Sequence, residues 1–447
     1  MKRLLFAATL MFSCYTGISQ QIFDSTHYNQ FNNVLYGTFR FDTSLRVKDL
    51  SMEEKLEGLS KVWYEAKFNF ANFDLVPSLN WDSMYRSFIP KVLATREIRE
   101  YYGVLKQFNQ HLRDGHSRVM EPPAYFFEYN AVVPFRFAWI DNQVVLTEIL
   151  ENKAPYNTAK PGWILEKIDG IPVTEYIQKN ISPVLHFSTA QDSIARIYTY
   201  ELTKGKTGSA VQFEFRTEKN QSLTKSYHRQ RWTMNNNPVS FKILDGNIGY
   251  LQIDNFASER TVQMFDSLFS QISQTKALII DLRMNGGGSS NNGHEIIGCL
   301  VDKPFLTNIS ILRSYRPSNR AWNDNPIQLN LERSDWKPYK NKTYTRPVAV
   351  LTGPSTYSAA EDFTGAFKGT GRGKIYGEAT GGSTGQPLGY NLPGGGIGFV
   401  CTKRDVMPNG EEFVGKGIRP DITVRRSIAG IRQGRDEVLE AAIKNLR

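Results

Sequence analysis

The sequence predicts an α/β protein: a core in which buried strands alternate with helices, preceded by a helical N-terminal segment and a smaller β-rich module. Three observations carry this reading. Between about Val239 and Val424 the apolar runs Leu278-Ile279-Ile280 and Val348-Ala349-Val350-Leu351 alternate with helical patterns, as the buried strands of a mostly parallel sheet require. From Asp49 to about Arg113 apolar residues recur at helical spacing. Between about Tyr125 and Arg216 short strands separated by turns take over. The chain has 447 residues, enough for about three domains of roughly 150 residues. With 40% apolar and 22% charged residues, disorder, collagen and a coiled coil are excluded for the whole.

The N-terminus comes first. Lys2 and Arg3 precede the apolar run Leu4 to Phe12, and small or polar residues follow to Gln20. This is the layout of a secretory signal peptide, and the run is too short to span a membrane. Residues 1–20 are therefore assigned as a signal, with cleavage near Ser19 or Gln20, or with lipid attached at Cys14. The mature chain is expected to be exported, periplasmic or extracellular, with no stable membrane span.

Residues 21–122 read as a helical domain. Its apolar positions are Leu56, Leu59, Val62 and Trp63, then Phe88, Val92 and Leu93, then Ile98, Tyr102, Leu105 and Leu112. Ser51 with Glu54 three positions on starts the first of these helices, because hydroxyl and carboxylate satisfy free amide N–H groups. Residues 123–235 read as the β-rich module, with strands at Val132 to Trp139, Gln143 to Glu148 and Val211 to Phe215. Residues 236–430 form the core. Its strands are Ile248 to Ile253, Ala277 to Leu282 and Pro347 to Thr352, with a helix through Ser258 to Gln274. Residues 431–447 place Val438, Leu439, Ala442 and Leu446 on one helical stripe.

Three cysteines, Cys14, Cys299 and Cys401, exclude a disulfide-stapled scaffold and offer no zinc cluster. The net charge of +10 is spread along the chain rather than gathered in a stripe, so it reads as solubility and no nucleic-acid partner is expected. No metal or cofactor is implied.

Two strand-to-loop junctions of the core can do chemistry. In Asp281-Leu282-Arg283-Met284-Asn285-Gly286-Gly287-Gly288 three glycines follow a buried strand, where backbone N–H groups can approach an oxyanion or a phosphate closely. In Leu351 to Phe363 a strand passes through a tight turn into a helix, and Ser358 falls at the helix N-terminus. The amides and dipole there favour developing negative charge. A plain helix cap is the other reading of Ser358.

These motifs resemble the tail-specific, or C-terminal processing, serine peptidases and their relatives, tricorn protease and the interphotoreceptor retinoid-binding protein modules. The resemblance rests on Asp281 to Gly288, Ser358-Ala359-Ala360-Glu361, Gly377-Glu378-Ala379-Thr380-Gly381-Gly382 and the closing Gly415-Lys416-Gly417-Ile418-Arg419-Pro420-Asp421-Ile422. It implies a crotonase-like (ClpP-like) core and a nucleophile at Ser358. Within the β module, Pro161 to Val173 is similar to a segment of PDZ domains, which bind peptide C-termini by strand addition. The bacterial processing enzymes place a lysine 25 residues after the serine, and here that residue is Ser383. The tricorn branch instead takes a histidine from an N-terminal segment, and His116 in Leu112-Arg113-Asp114-Gly115-His116-Ser117 matches it. Histidine titrates near neutrality and suits proton transfer from a serine.

The expected catalytic pair is therefore Ser358 and His116. Oxyanion donors implied by resemblance and physics alike are the N–H of Ala359 and one from the glycine loop, taken as Gly287. Tricorn has serine where this chain has Gly115, and its glutamate falls near Val414, so Asp114, Glu411 and Glu412 are the candidates to orient the histidine. The expected activity is that of an exported serine endopeptidase acting through an acyl-enzyme on a peptide or protein, with the PDZ-like module engaging or gating substrate. A non-catalytic binding protein for a peptide or apolar ligand, and an esterase, are the alternatives.

Three other motifs fail. His294-Glu295 lacks a second zinc-binding histidine, since Gly298 stands there; Gly369 to Lys374 has the wrong phosphate-loop spacing; and no G-x-S-x-G surrounds Ser358. His27, His111, His186 and His228 read as surface or packing residues.

Overall fold

The computed structural model describes residues 25–36, 49–231, 237–339 and 342–446. The signal assignment at 1–20 lies outside them. Helix α1, Ser25–Tyr36, belongs to a unit of its own, residues 1–41, and residues 42–447 form a second compact unit.

In this second unit three helices come first: α2 (Met52–Asn69), α3 (Trp81–Leu93) and α4 (Ile98–Asn109). The reciprocal cap predicted for α2 is present: the Ser51 amide donates to Glu54 at 2.9 Å, and the Glu54 amide donates to the Ser51 hydroxyl at 3.2 Å. Leu59, Val62, Phe88, Val92, Ile98, Tyr102 and Leu105 bury together, so the helical periodicity identified the packed face. After α4 the chain passes His116 into the short strand β1, Arg118–Met120.

The β-rich module is a six-stranded antiparallel sheet whose five longer strands neighbour one another in chain order: β2 (Phe135–Ile140), β3 (Gln143–Ile149), β4 (Ile164–Ile168), β5 (Ala210–Arg216) and β6 (Ser222–His228). Asp169 and Gly170, both at positive φ, turn β4 into a short partner at Ile171–Pro172. The segment between β4 and β5 is helical, with α5 (Val173–Asn180) and α6 (Ala190–Ala195). Helix α6 widens into a π-helical stretch over Arg196–Glu201, a feature that often marks functional positions.

The core is a six-stranded sheet. Its strands are β7 (Val239–Leu244), β8 (Ile248–Ile253), β9 (Ala277–Asp281), β10 (Val348–Thr352), β11 (Gly373–Gly377) and β12 (Ile422–Thr423), in that spatial order. All neighbours are parallel except β7 with β8. Ile280 sits beside Val350, and Val350 beside Ile375. Every residue of β9 and β10 is buried, as the apolar runs required.

Helix α7 (Arg260–Ile272), helix α8 (Ser290–Gly298) after the glycine loop, and helix α9 (Ala359–Thr370) after Ser358 pack against this sheet. The predicted tail helix is present as Glu437–Leu446, and Val438 and Ala442 lie against the sheet's other face. Strand β1 pairs with Ile397–Cys401, Arg118 opposite Phe399 and Met120 opposite Ile397. This pairing delivers the histidine loop to the core. Cys299 and Cys401 are buried and free.

Candidate active site

Ser358 occupies the turn between β10 and α9 with φ 57° and ψ −125°, outside the regions an L-residue ordinarily adopts. Strain of this kind costs on the order of 1–3 kcal/mol and persists where surrounding structure imposes it. Several contacts impose it here. The Ser358 carbonyl accepts the amides of Glu361 (2.7 Å) and Asp362 (3.1 Å), and its own amide donates to Ser383 O at 3.1 Å. The same amide lies 3.2 Å from the Glu361 carboxylate. The hydroxyl faces His116, with Oγ 2.9 Å from Nε2. The structure thus brings together two residues 242 positions apart in sequence.

His116 is held from all sides. Its Nδ1 lies 2.8 Å from the Ser383 hydroxyl. Its ring stacks on Tyr357 with centroids 5.0 Å apart, and the Arg196 guanidinium lies 4.9 Å from the centre of the Tyr357 ring. Burial, and after it the charges of Arg118, Arg196 and Lys403, push the imidazole pKa down to about 3. The ring is therefore neutral at pH 7.

The predicted orienting groups sit elsewhere. Asp114 is buried beneath the histidine loop, but its Oδ1 accepts the backbone amides of His116 (3.0 Å) and Ser117 (2.7 Å). It shapes the loop, and the Nδ1 partner is Ser383. Glu411 and Glu412 are exposed, and Glu412 pairs with Lys416 at 3.2 Å. Gly115 stands where it does for space: a Cβ there would come within 2.0 Å of the Tyr357 hydroxyl and 2.7 Å of Arg196.

Of the expected oxyanion donors, the Ala359 amide is the first of α9, and such an N–H has no intrahelical acceptor. Gly287 has φ 101°, and a Cβ on it would lie 2.6 Å from the Ser358 Cβ and 3.0 Å from the Ala359 nitrogen. Only glycine lets the loop come this close. The Gly287 amide itself donates to Asn285 Oδ1 at 2.9 Å.

Several site residues escaped the sequence reading. Glu361, fully buried, accepts hydrogen bonds from Thr380 Oγ1 (2.5 Å) and from the amides of Gly382 (2.7 Å) and Ser383 (2.9 Å). Burial pushes its pKa up to about 8 against these donors. The module also reaches the site. Thr189 Oγ1 donates to Gly381 O at 2.8 Å, and Gln191 Nε2 donates to Thr380 O (3.1 Å) and Lys416 O (2.7 Å). Ser188 Oγ accepts the Gly115 amide at 2.9 Å, and Asp192 pairs with Arg196 at 2.7 Å.

Fold and site define a class: an α/β protein whose central sheet carries a strained serine at a strand-to-helix turn, with a histidine on its hydroxyl. Residues 247–424 match the model of peptidase family S41. It is 24% identical over 245 residues to a probable CtpA-like serine protease of Staphylococcus epidermidis, covering 55% of this chain and 46% of that one. It is 26% identical over 251 residues to the chloroplastic carboxyl-terminal-processing peptidase 2 of Arabidopsis thaliana, covering 54% and 45%. The chain spans about half the length of these curated relatives. The crystal structure of mature CPAF is similar in fold, with TM-score 0.68 and 15% identity over 88% of this chain and 96% of that one. Among the described residues no group of His, Cys, Asp and Glu could hold a metal ion, and no helix is long and apolar enough to cross a membrane.

Proposed function

We propose that this protein is a serine endopeptidase in which Ser358 attacks a peptide carbonyl and His116 takes and returns its proton. The observation that carries this reading is the 2.9 Å approach of His116 Nε2 to a serine hydroxyl on a strained turn. With Nδ1–H donating to Ser383, Nε2 is left as the acceptor for the Ser358 proton. Attack forms a tetrahedral adduct, collapse gives an acyl-enzyme as His116 protonates the leaving amine, and water reverses the sequence. The Ala359 amide receives the oxyanion, and the Gly287 amide joins it on release from Asn285.

The core is read as crotonase-like and the β module as PDZ-like, the latter supported by Pro161 to Val173 and by the antiparallel sheet around it. The bonds from Thr189 and Gln191 to the 380–383 loop, on which Ser383 lies, support a gating role: a peptide bound to the module would act on the loop that holds His116. The N-terminal Lys2-Arg3 and apolar run support export to the periplasm or beyond.

Cleavage of internally quenched peptides by the full chain tests the central proposal. Ser358→Ala should abolish turnover with folding intact. Undiminished cleavage by that variant would overturn it.

A further inference from the structure

A polar pocket of about 500 Å³ opens between α8, α9 and the strand Ile309–Tyr315. It belongs to no part of the serine–histidine pair, yet it adjoins it: Asp362 on its wall follows Ser358 by four residues on α9, about 6 Å along the helix axis. Ser290 and His294, on the helix that follows the glycine loop, also line it.

The pocket's hydrogen bonding is lopsided. Asp362 accepts from Ser290 Oγ (2.6 Å) and Asn308 Nδ2 (3.0 Å). One oxygen of Asp405 accepts from Ser310 Oγ (2.6 Å) and Lys403 Nζ (2.9 Å). Three buried atoms in its lining have no partner: Asp405 Oδ2, Asn308 Oδ1 and His294 Nε2. All three residues are more than nine-tenths buried. Two of these atoms are obligate acceptors, and the third accepts in one imidazole tautomer. Unpaired buried acceptors cost about 1–3 kcal/mol each.

The buried charge is lopsided in the same sense. Asp362 and Asp405 face one cation, Lys403, while Glu332 and Arg333 offset one another on the lining. Burial and Lys403 push His294 down to about 4, so it adds no positive charge at neutral pH. Burial, and after it the neighbouring Asp405, hold the Asp362 carboxyl above the usual carboxylate range.

We propose that this pocket is a substrate subsite for a basic side chain, arginine before lysine, at a residue flanking the scissile bond. A guanidinium offers five N–H donors in a planar fork, which suits acceptors spread over three side chains. The inference rests on the peptidase reading for the identity of the ligand as a peptide.

The test uses the full chain and quenched peptides that differ at one flanking position, as Arg, Lys, Gln, Met or Glu. Arginine should exceed methionine and glutamate at least tenfold in kcat/KM, and Asp405→Asn should erase most of that ratio. Asn308→Leu, which removes the Oδ1 acceptor together with the Nδ2 donor to Asp362, should narrow it as well if Asp405→Asn does not fold. Cleavage that favours apolar or acidic residues would overturn the subsite and leave the serine–histidine reading standing. If no peptide is cleaved and Ser358 takes no fluorophosphonate, the peptidase reading falls. Calorimetry with agmatine on the wild type then decides the pocket: binding lost in Asn308→Leu supports it, and no binding overturns it.

Discussion

Ser383→Ala isolates the group that orients the histidine. The substitution removes the hydroxyl 2.8 Å from His116 Nδ1, whereas the Ser383 amide keeps its 2.9 Å bond to Glu361 because that bond is made by the backbone. A buried N–H left without an acceptor costs about 1–3 kcal/mol, and hydrogen bonds to charged groups are worth about 1.5–3 kcal/mol. The loss is felt more once the ring becomes imidazolium. Without Ser383 the ring is also free to carry its proton on Nε2, where it cannot accept from Ser358. Together these effects predict a fall in kcat/KM of about 10- to 100-fold, at 1.36 kcal/mol per decade. The assay is quenched-peptide cleavage, paired with the second-order rate of Ser358 labelling by a fluorophosphonate, since both need the same proton transfer. Asp114→Asn is the comparison. Asp114 holds the backbone of the loop, so its loss should lower the unfolding midpoint more than the rate. Wild-type kcat/KM in Ser383→Ala, with a collapse in a stably folded Asp114→Asn, would refute the assignment.

Four further outcomes follow from the same geometry. Because His116 is pushed down to about 3 from an unfolded value near 6.5, kcat/KM should show no histidine inflection between pH 8 and 5, and an inflection near 6.5 removed by no other variant would contradict the burial. The sign for stability is set by the same shift: the contribution of the neutral ring is complete above pH 6.5 and is lost toward pH 3, at up to about 1.4 kcal/mol per pH unit, which urea titrations would read. Gly115→Ala should drive Tyr357 off the His116 ring, costing about 1–3 kcal/mol in unfolding experiments and lowering the labelling rate. Thr189→Val removes the bond from the module to Gly381 O and the cap on the Asp192 amide; kcat/KM should fall several-fold with stability changed by about 1 kcal/mol, and an unchanged rate would show that this bond does not act on the site.

Much of this was legible in the sequence, and the exceptions have physical causes. Buried parallel strands must be apolar on both faces, so β8, β9 and β10 were placed to within a residue. Ser358 and the glycine loop were legible because a strand-to-helix turn and a close backbone approach each demand particular residues. His116 was legible through its motif alone, since convergence over 242 residues leaves no local signal. Ser383 had only a negative one, a hydroxyl where the related enzymes place lysine. The helical insert around Asp192 and Arg196 was hidden inside a stretch read as strands. Its trace was Thr189, whose hydroxyl caps the Asp192 amide at 3.1 Å, and the four-residue spacing of the ion pair. The polar pocket could not be seen at all, because His294, Asn308, Asp362 and Asp405 are brought together only by the packing of α8, α9 and two strands.

Covalent labelling of the wild type, His116→Ala and Ser358→Ala with a fluorophosphonate, mapped by peptide mass spectrometry, tests whether His116 activates Ser358. One adduct is expected, on Ser358, formed at least 100-fold more slowly in His116→Ala and absent from Ser358→Ala. Labelling of Ser358 at the same rate without His116, or an adduct on another serine of the folded protein, would contradict it.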